Sequence, residues 1–138
     1  MKTKKQHKIV IVLSMVILCL VFIIKMLNSG VIDTTKIETA EVFTTNELLL
    51  KLENKQQKLE GFIEKAIEIE GEIKEITYQD GKYSLILKGD SDKTYILCEM
   101  QINQNRDIVK LYAGQNIKLK GILKGFLMDI ILLHCVII

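Results

Sequence analysis

The residues best suited to chemistry are few. Cys98, His134 and Cys135 lie in the C-terminal part of a 138-residue chain, and the only other histidine is His7. Thiols and an imidazole can hold a soft metal or support nucleophilic attack. The spacing opposes both. His134 and Cys135 are consecutive, so on a strand they point to opposite faces and cannot easily share one ion. Glu68, Glu70 and Glu72 form a carboxylate row at period two, and Asp90 and Asp92 make a second acidic pair. Neither sits in a loop with the ligand pattern of a calcium site. A carboxylate doing acid–base work needs a pocket that shifts its pKa, and no pocket is legible here. There is no Ser/His/Asp or Cys/His arrangement, and no phosphate-binding turn follows Gly121 or Gly125. The sequence therefore predicts no enzyme, no cofactor and no metal.

The thiols of Cys98 and Cys135 have two readings. In a reducing compartment they are small core residues; in an oxidising one they could form a disulfide. The compartment follows from the N-terminus. Residues 9–27, IVIVLSMVILCLVFIIKML, are apolar except for Lys25. As a helix this run is about 28 Å long, enough to cross a bilayer core. A cleaved signal peptide is the rival reading, but no small-x-small site follows the run. Leu18 before Cys19 also spoils a lipoprotein site. The expectation is an uncleaved anchor. Lys2, Lys4, Lys5 and Lys8 precede it, so the positive-inside rule keeps residues 1–8 in the cytoplasm and sends the C-terminal domain across the cell membrane. On that expectation a Cys98–Cys135 disulfide stays open.

Net charge is +2 over the chain, from 19 basic and 17 acidic residues. Five of the basic residues belong to the tail and anchor, which leaves 14 against 17, or −3, for the remainder. A mildly acidic domain lacks the basic footprint that phosphate backbones require. Nucleic acid is the disfavoured partner.

Residues 28–42 have no periodicity and read as a tether. Residues 43–138 read as one domain. Thr44 with Glu47 forms a capping box, Phe43 can staple onto Leu48, and Leu48, Leu52 and Leu59 mark one stripe of a helix over 45–60. From Lys65 the period becomes two, with Ile67, Ile69, Gly71 and Ile73 on one face. Ile76 is out of phase, which predicts a bulge near Lys74-Glu75. Asp80-Gly81 marks a hairpin. Strands follow at 82–88 and 94–100, then a short helical connection over 101–112. A strand at 115–124 and a final strand at 127–138, apolar on both faces, complete the chain. Five short strands, a long bent first strand and a helix between the third and fourth give the order of an OB-fold barrel. The overall class is mainly β, with one amphipathic helix before the barrel and a transmembrane helix at the N-terminus. An open four-stranded sheet with two helices is the alternative.

Residues 114–121 (GQNIKLKG), 125–132 (GFLMDIIL) and Cys135 resemble the tRNA_anti-like family of OB-fold proteins. The likeness extends back through Tyr95-Ile96-Leu97-Cys98, Asp80-Gly81-Lys82-Tyr83, residues 66–71 (AIEIEG) and Glu47-Leu48-Leu49, and covers about residues 42–138. No single piece is specific; their order carries the resemblance. It implies small bacterial membrane or lipoprotein-type proteins, and it supplies no catalytic residues and no demonstrated RNA binding. It also implies that strands three and five lie side by side, so that Cys98 and Cys135 face one another. A bridge needs Cα atoms about 4.4–6.8 Å apart, and closing that loop would stabilise by about 3–4 kcal/mol.

The usual OB binding face lies on strands two and three. With Leu85, Leu87, Ile96 and Cys98 inward, Ser84, Ile86, Lys88, Tyr95 and Leu97 point outward. That surface either docks a partner or seats the helix over 45–60, whose leucines must be buried somewhere; the helix is the favoured occupant. The sequence thus predicts a membrane-anchored, extracytoplasmic, non-catalytic OB-fold module that docks a protein or an envelope component. The alternative is a single-stranded nucleic-acid (RNA or DNA) binder, which would need a basic groove and stacking aromatics.

Overall fold

A computed structural model describes residues 2–27, 32–54, 59–91 and 93–138, with only the backbone described for 2–8, 26 and 27. The chain divides into two compact units, Met1–Ile32 and Asp33–Ile138. The first is a helix, α1, over Lys2–Leu27. It takes in the whole apolar run and begins within the basic tail. Side chains are described for residues 9–25, and all of them are exposed. That stretch is about 26 Å long, and among the described residues no helix is long and apolar enough to cross a membrane. The expected anchor over 9–27 is therefore a helix, but the described residues do not establish a span.

The second unit holds β1 (Glu41–Thr44), α2 (Thr45–Asn54), β2 (Ala66–Gln79), β3 (Lys82–Lys88), β4 (Tyr95–Met100), α3 (Asn105–Ile108), β5 (Asn116–Phe126) and β6 (Ile130–Ile137). The alternation in β2 buries Ile67, Ile69 and Ile73 completely. Its register slips between Ile73 and Glu75, where the sequence places a bulge. Asp80 and Gly81 both have positive φ, at 52° and 81°, as a type I′ hairpin requires. The strands pair in the order β2-β3-β4-β6-β5, and β5 pairs back onto β2. All neighbours are antiparallel except β4 and β6, which run parallel. This is a closed five-stranded barrel of the OB type, and the open four-stranded sheet is excluded.

The helices of this unit contribute to the core. The Thr44 Oγ1 accepts from the Glu47 N–H at 3.2 Å, and Glu47 Oε2 accepts from the Thr44 N–H at 2.8 Å. This capping box starts α2 and orients Leu48, Leu49 and Leu52 into one core with Phe43, Leu85, Leu87 and Leu123. Two glycines allow the approach. A Cβ on Gly71 would sit 1.7 Å from Thr45 Oγ1, and one on Gly89 would sit 2.6 Å from Leu49 Cδ1. The helix printed by the sequence over 45–60 is described as α2 to Asn54; residues 55–58 lie outside the described residues, and Leu59 is buried. Ile108 of α3 is also buried in the core.

The tether expected over 28–42 is corrected from Thr34 onward. Thr34–Lys36 form a 3₁₀ turn, and β1, which the sequence does not announce, pairs parallel with β2. Residues 33–40 form a strap over β5 and β6. The fully buried Thr34 donates its hydroxyl to the His134 carbonyl at 2.7 Å. Gln101 Nε2 donates to Thr34 Oγ1 at 3.0 Å. The Lys120 ammonium donates to the Ile37 carbonyl. Thr39 Oγ1 donates to Glu68 Oε1 at 2.7 Å, and Lys118 pairs with the other Glu68 oxygen at 3.3 Å. The strap explains why Lys120 is buried together with its cross-strand partner Val136.

Replacing Thr34→Val keeps the shape but removes the two bonds of the Thr34 hydroxyl, to the Gln101 amide and the His134 carbonyl, which keep the 3.3 Å bond to one another. Urea denaturation should show a loss of about 1–3 kcal/mol. The Thr39 hydroxyl first, then the Lys118 ammonium, hold the Glu68 carboxyl below its ordinary 4.5. A carboxyl lowered by folding stabilises above its unfolded pKa and loses that contribution as pH falls through its folded value. Glu68→Gln should therefore flatten the decline in stability below pH 4.5, read from urea midpoints across an acid series.

Candidate ligand-binding face

Alternation along β3 and β4 sets the face. Leu85, Leu87, Ile96 and Cys98 are buried inside the barrel. Ser84, Ile86, Lys88, Tyr95 and Leu97 point outward as the sequence indicates, each half-buried. The register arranges them in rows across the strands. Glu72, Lys88 and Tyr95 form one row, and Thr77, Ser84 and Glu99 another. Between them runs Glu75–Ile86–Leu97–Ile131–Gly125, crossing all five barrel strands. The sequence reading missed the two ends of this row. The signal was available in part, since strands three and five lying side by side puts Ile131 next to Leu97.

Charge on the face is largely committed. Lys88 Nζ lies 2.9 Å from Glu72 Oε1, and Lys82 Nζ lies 2.7 Å from Glu99 Oε1. Lys74, at the bulge in β2, places its ammonium 3.6 Å from the centre of the Tyr95 ring. The Tyr95 N–H donates to Asp129 Oδ1 at 2.9 Å. The face is thus an aliphatic row bordered by internal ion pairs, with its tyrosine under a lysine.

The favoured occupant of this face, the helix over 45–60, is corrected. Thr45 lies against Gly71, and Asn46 and Leu49 against Gly89. Leu48, Leu49 and Leu52 of α2 are in the barrel core, whereas Ile86 and Leu97 belong neither to that core nor to the side chains packed on it. Beside the start of α2 is a polar cleft of 220 Å³ lined in part by Thr44, Asn46, Glu70, Glu72, Lys88 and Asp90. Three of its side chains are engaged: Glu72 with Lys88, and Asn46 Oδ1 with the Asp90 N–H at 2.7 Å. Among the described residues no group of three or more His, Cys, Asp or Glu side chains gathers as metal ligands.

Cys98 and Cys135 are free, fully buried thiols on adjacent strands. Burial and the neighbouring Cys98 thiol push the Cys135 thiol well above its ordinary 9.0. Their register is offset. Cys98 pairs with Leu132, and Cys135 with Met100, because β6 carries an extra residue between these pairs. His134 absorbs it with a φ of 55°. The two thiols remain within hydrogen-bonding reach of one another and are not bridged. His134 acts here through its backbone, whose carbonyl receives the Thr34 hydroxyl.

The family model described as tRNA_anti-like matches residues 1–137. No curated protein matches the sequence. Among solved structures, the chain is similar to a "putative nucleic acid-binding lipoprotein" from Klebsiella pneumoniae subsp. pneumoniae, with a TM-score of 0.57 and 13% identity over 70% of this chain and 92% of that one. It is also similar to part of the Stn1–Ten1 complex of S. pombe, with a TM-score of 0.42 and 19% identity over 50% of this chain and 53% of that one. At such identities the first likeness is one of fold, and the second is too distant to carry an argument.

The free state of the two cysteines has a direct readout. With Cys19 replaced, denaturation in the presence of an alkylating reagent should label both Cys98 and Cys135 without prior reduction. The folded protein should label slowly, since both thiols are enclosed. A mass two hydrogens lower, with no labelling, would mean that the two thiols are bridged.

Proposed function

The chain belongs to the tRNA_anti-like family, and from that premise we propose that it is a non-catalytic binding module docking a protein or an envelope component through the outward face of β3 and β4. The observation that carries this reading is the aliphatic row through Ile86, Leu97 and Ile131, bordered by lysines that already have partners. An apolar strip with neutralised edges favours an apolar partner surface over a phosphate backbone. The module is held at the cell membrane by α1. Supporting this, residues 9–24 are exposed and, apart from Ser14, apolar on every side of the helix, a pattern that belongs in lipid or inside a larger core. The lysines ahead of it orient the barrel to the extracytoplasmic side.

A second reading, single-stranded nucleic-acid binding, has one observation in its favour. The Klebsiella protein that shares the fold is named for nucleic-acid binding. Here that function would need Lys74 to leave Tyr95 and the paired lysines to exchange carboxylates for phosphates. Titration of the full chain in detergent with labelled oligothymidylate separates the two. The docking module should show no saturable binding at low salt. Saturable binding that weakens steeply with salt and is lost in Tyr95→Ala would install the second reading.

A further inference from the structure

The β5–β6 hairpin ends in a turn that is polar inside and apolar outside. Phe126 and Ile130 close the ladder, and Leu127, Met128 and Asp129 lie between them. Exposed turns are ordinarily built from Gly, Asn, Asp and Ser. Here the one polar side chain is turned back to β4, where Asp129 Oδ1 accepts the Tyr95 N–H at 2.9 Å. The Asp129 carbonyl accepts the Leu127 N–H at 3.2 Å, which holds the turn closed. Phe126 packs on the core behind it. Leu127 and Met128 are 86% and 83% exposed, and among the described residues no large apolar side chain is more so. The tip is thus an apolar pair carried on a fixed base.

Shape, charge and reach each point to lipid as what covers it. A convex tip of two side chains cannot supply the about 800 Å² a side of a standard protein interface, whereas a fluid acyl layer accepts a tip of any shape. Burying it strands no ionised group, because Asp129 is turned to β4 and Lys124, on the β5 arm, lies 2.7 Å from Glu64. A bilayer is also within reach, on the reading of α1 as a membrane anchor, on which this inference rests. The seven steps of chain from Leu27 to Thr34 span at most about 25 Å. Thr34 is bonded to the His134 carbonyl, and Ile130, at the base of the tip, is four residues away along β6, about 13 Å. The tether therefore keeps the barrel close to the surface that α1 enters and is long enough to let the tip meet it. We propose that the β5–β6 tip is a lipid-contact site, with Leu127 and Met128 inserted in the acyl layer of that bilayer. Two contacts fix the orientation of the barrel, where a tether alone leaves it free to turn.

The test uses the full chain carrying Cys19→Ala and Met128→Cys, labelled with an environment-sensitive dye and reconstituted in phosphatidylcholine nanodiscs. The enclosed Cys98 and Cys135 escape a short labelling reaction. A control carries the dye through Lys110→Cys instead, an exposed position in the connection from β4 to β5, at the other end of the barrel. Emission from position 128 should move to shorter wavelength and lose most of its intensity when the lipids carry a nitroxide on the upper acyl chain. Emission from position 110 should do neither. Adding Leu127→Asp should abolish both effects at 128, with thermal melting confirming that the barrel is folded. Emission at 128 that matches the control, in a chain that floats with vesicles, overturns the lipid contact and leaves the anchor standing. A chain that does not float removes the anchor and the lipid contact together. A wavelength shift without nitroxide quenching, growing as more copies share a vesicle, gives the tip to a second copy and overturns the inference.

Discussion

The ladder between β2 and β5 is the contact on which the rest of the barrel depends. Ala66 to Glu72 pair antiparallel with Ile122 to Asn116, and among the described residues no other pairing joins β2 to β5. Without it, β2-β3-β4-β6-β5 would be an open sheet with two exposed edges. Closure imposes a demand on β2, which pairs with β5 through its first half and with β3 through its second. It must therefore be long and bent, and the bend is the bulge between Ile73 and Glu75. That same irregularity frees Lys74 from the pairing and lets it reach the Tyr95 ring. The shape of the outer face is in this sense a consequence of how the barrel closes.

Closure also leaves a problem on the outside of β5 and β6. Their outer residues include Ile122 and Val136, which are too apolar to leave in water, and Lys120 between them in the ladder. The strap over 33–40 resolves it by hydrogen bonding rather than by a further hydrophobic layer. Thr34 and Gln101 satisfy one another and the His134 carbonyl, and the Ile37 carbonyl receives the Lys120 ammonium. Buried polar groups stabilise only when all are satisfied, since each one left alone costs about 1–3 kcal/mol. The strap is thus held in one position by a small set of interdependent bonds.

What was legible in the sequence was local. The period of Ile67, Ile69 and Ile73, the turn at Asp80-Gly81 and the Thr44–Glu47 box each depend on residues within a few positions, and each forms as its spacing indicates. The strap was not legible because its fixing contact is one hydroxyl, Thr34, meeting a carbonyl one hundred residues away. The cysteines show the same limit from the other side. Adjacency of β4 and β6 is what the family resemblance implies, but the offset between Cys98 and Cys135 comes from His134 at positive φ, a conformation seldom adopted by a residue with a side chain. The candidate face was half legible. Alternation placed Ser84, Ile86, Lys88, Tyr95 and Leu97 correctly outward, but only register across β2, β6 and β5 completes the row.

The fold by itself does not choose a ligand; that choice belongs to the side chains on its outer face. The lysine over Tyr95 is not the deciding feature. An exposed cation–π contact is worth about 0.5–1 kcal/mol, and a base stacked on an aromatic ring is worth about 1–3 kcal/mol, so a nucleotide could displace Lys74. The deciding feature is what a strand of nucleic acid would meet next. Its phosphates need a track of cations, and Lys82 and Lys88 lie 2.7 Å and 2.9 Å from carboxylates of the same face. Drawing either lysine onto a phosphate would leave Glu99 or Glu72 facing the backbone, a like-charge contact that opposes each new one gained. An apolar partner surface meets no such opposition, because it leaves both ion pairs intact and asks only the row between them to give up water.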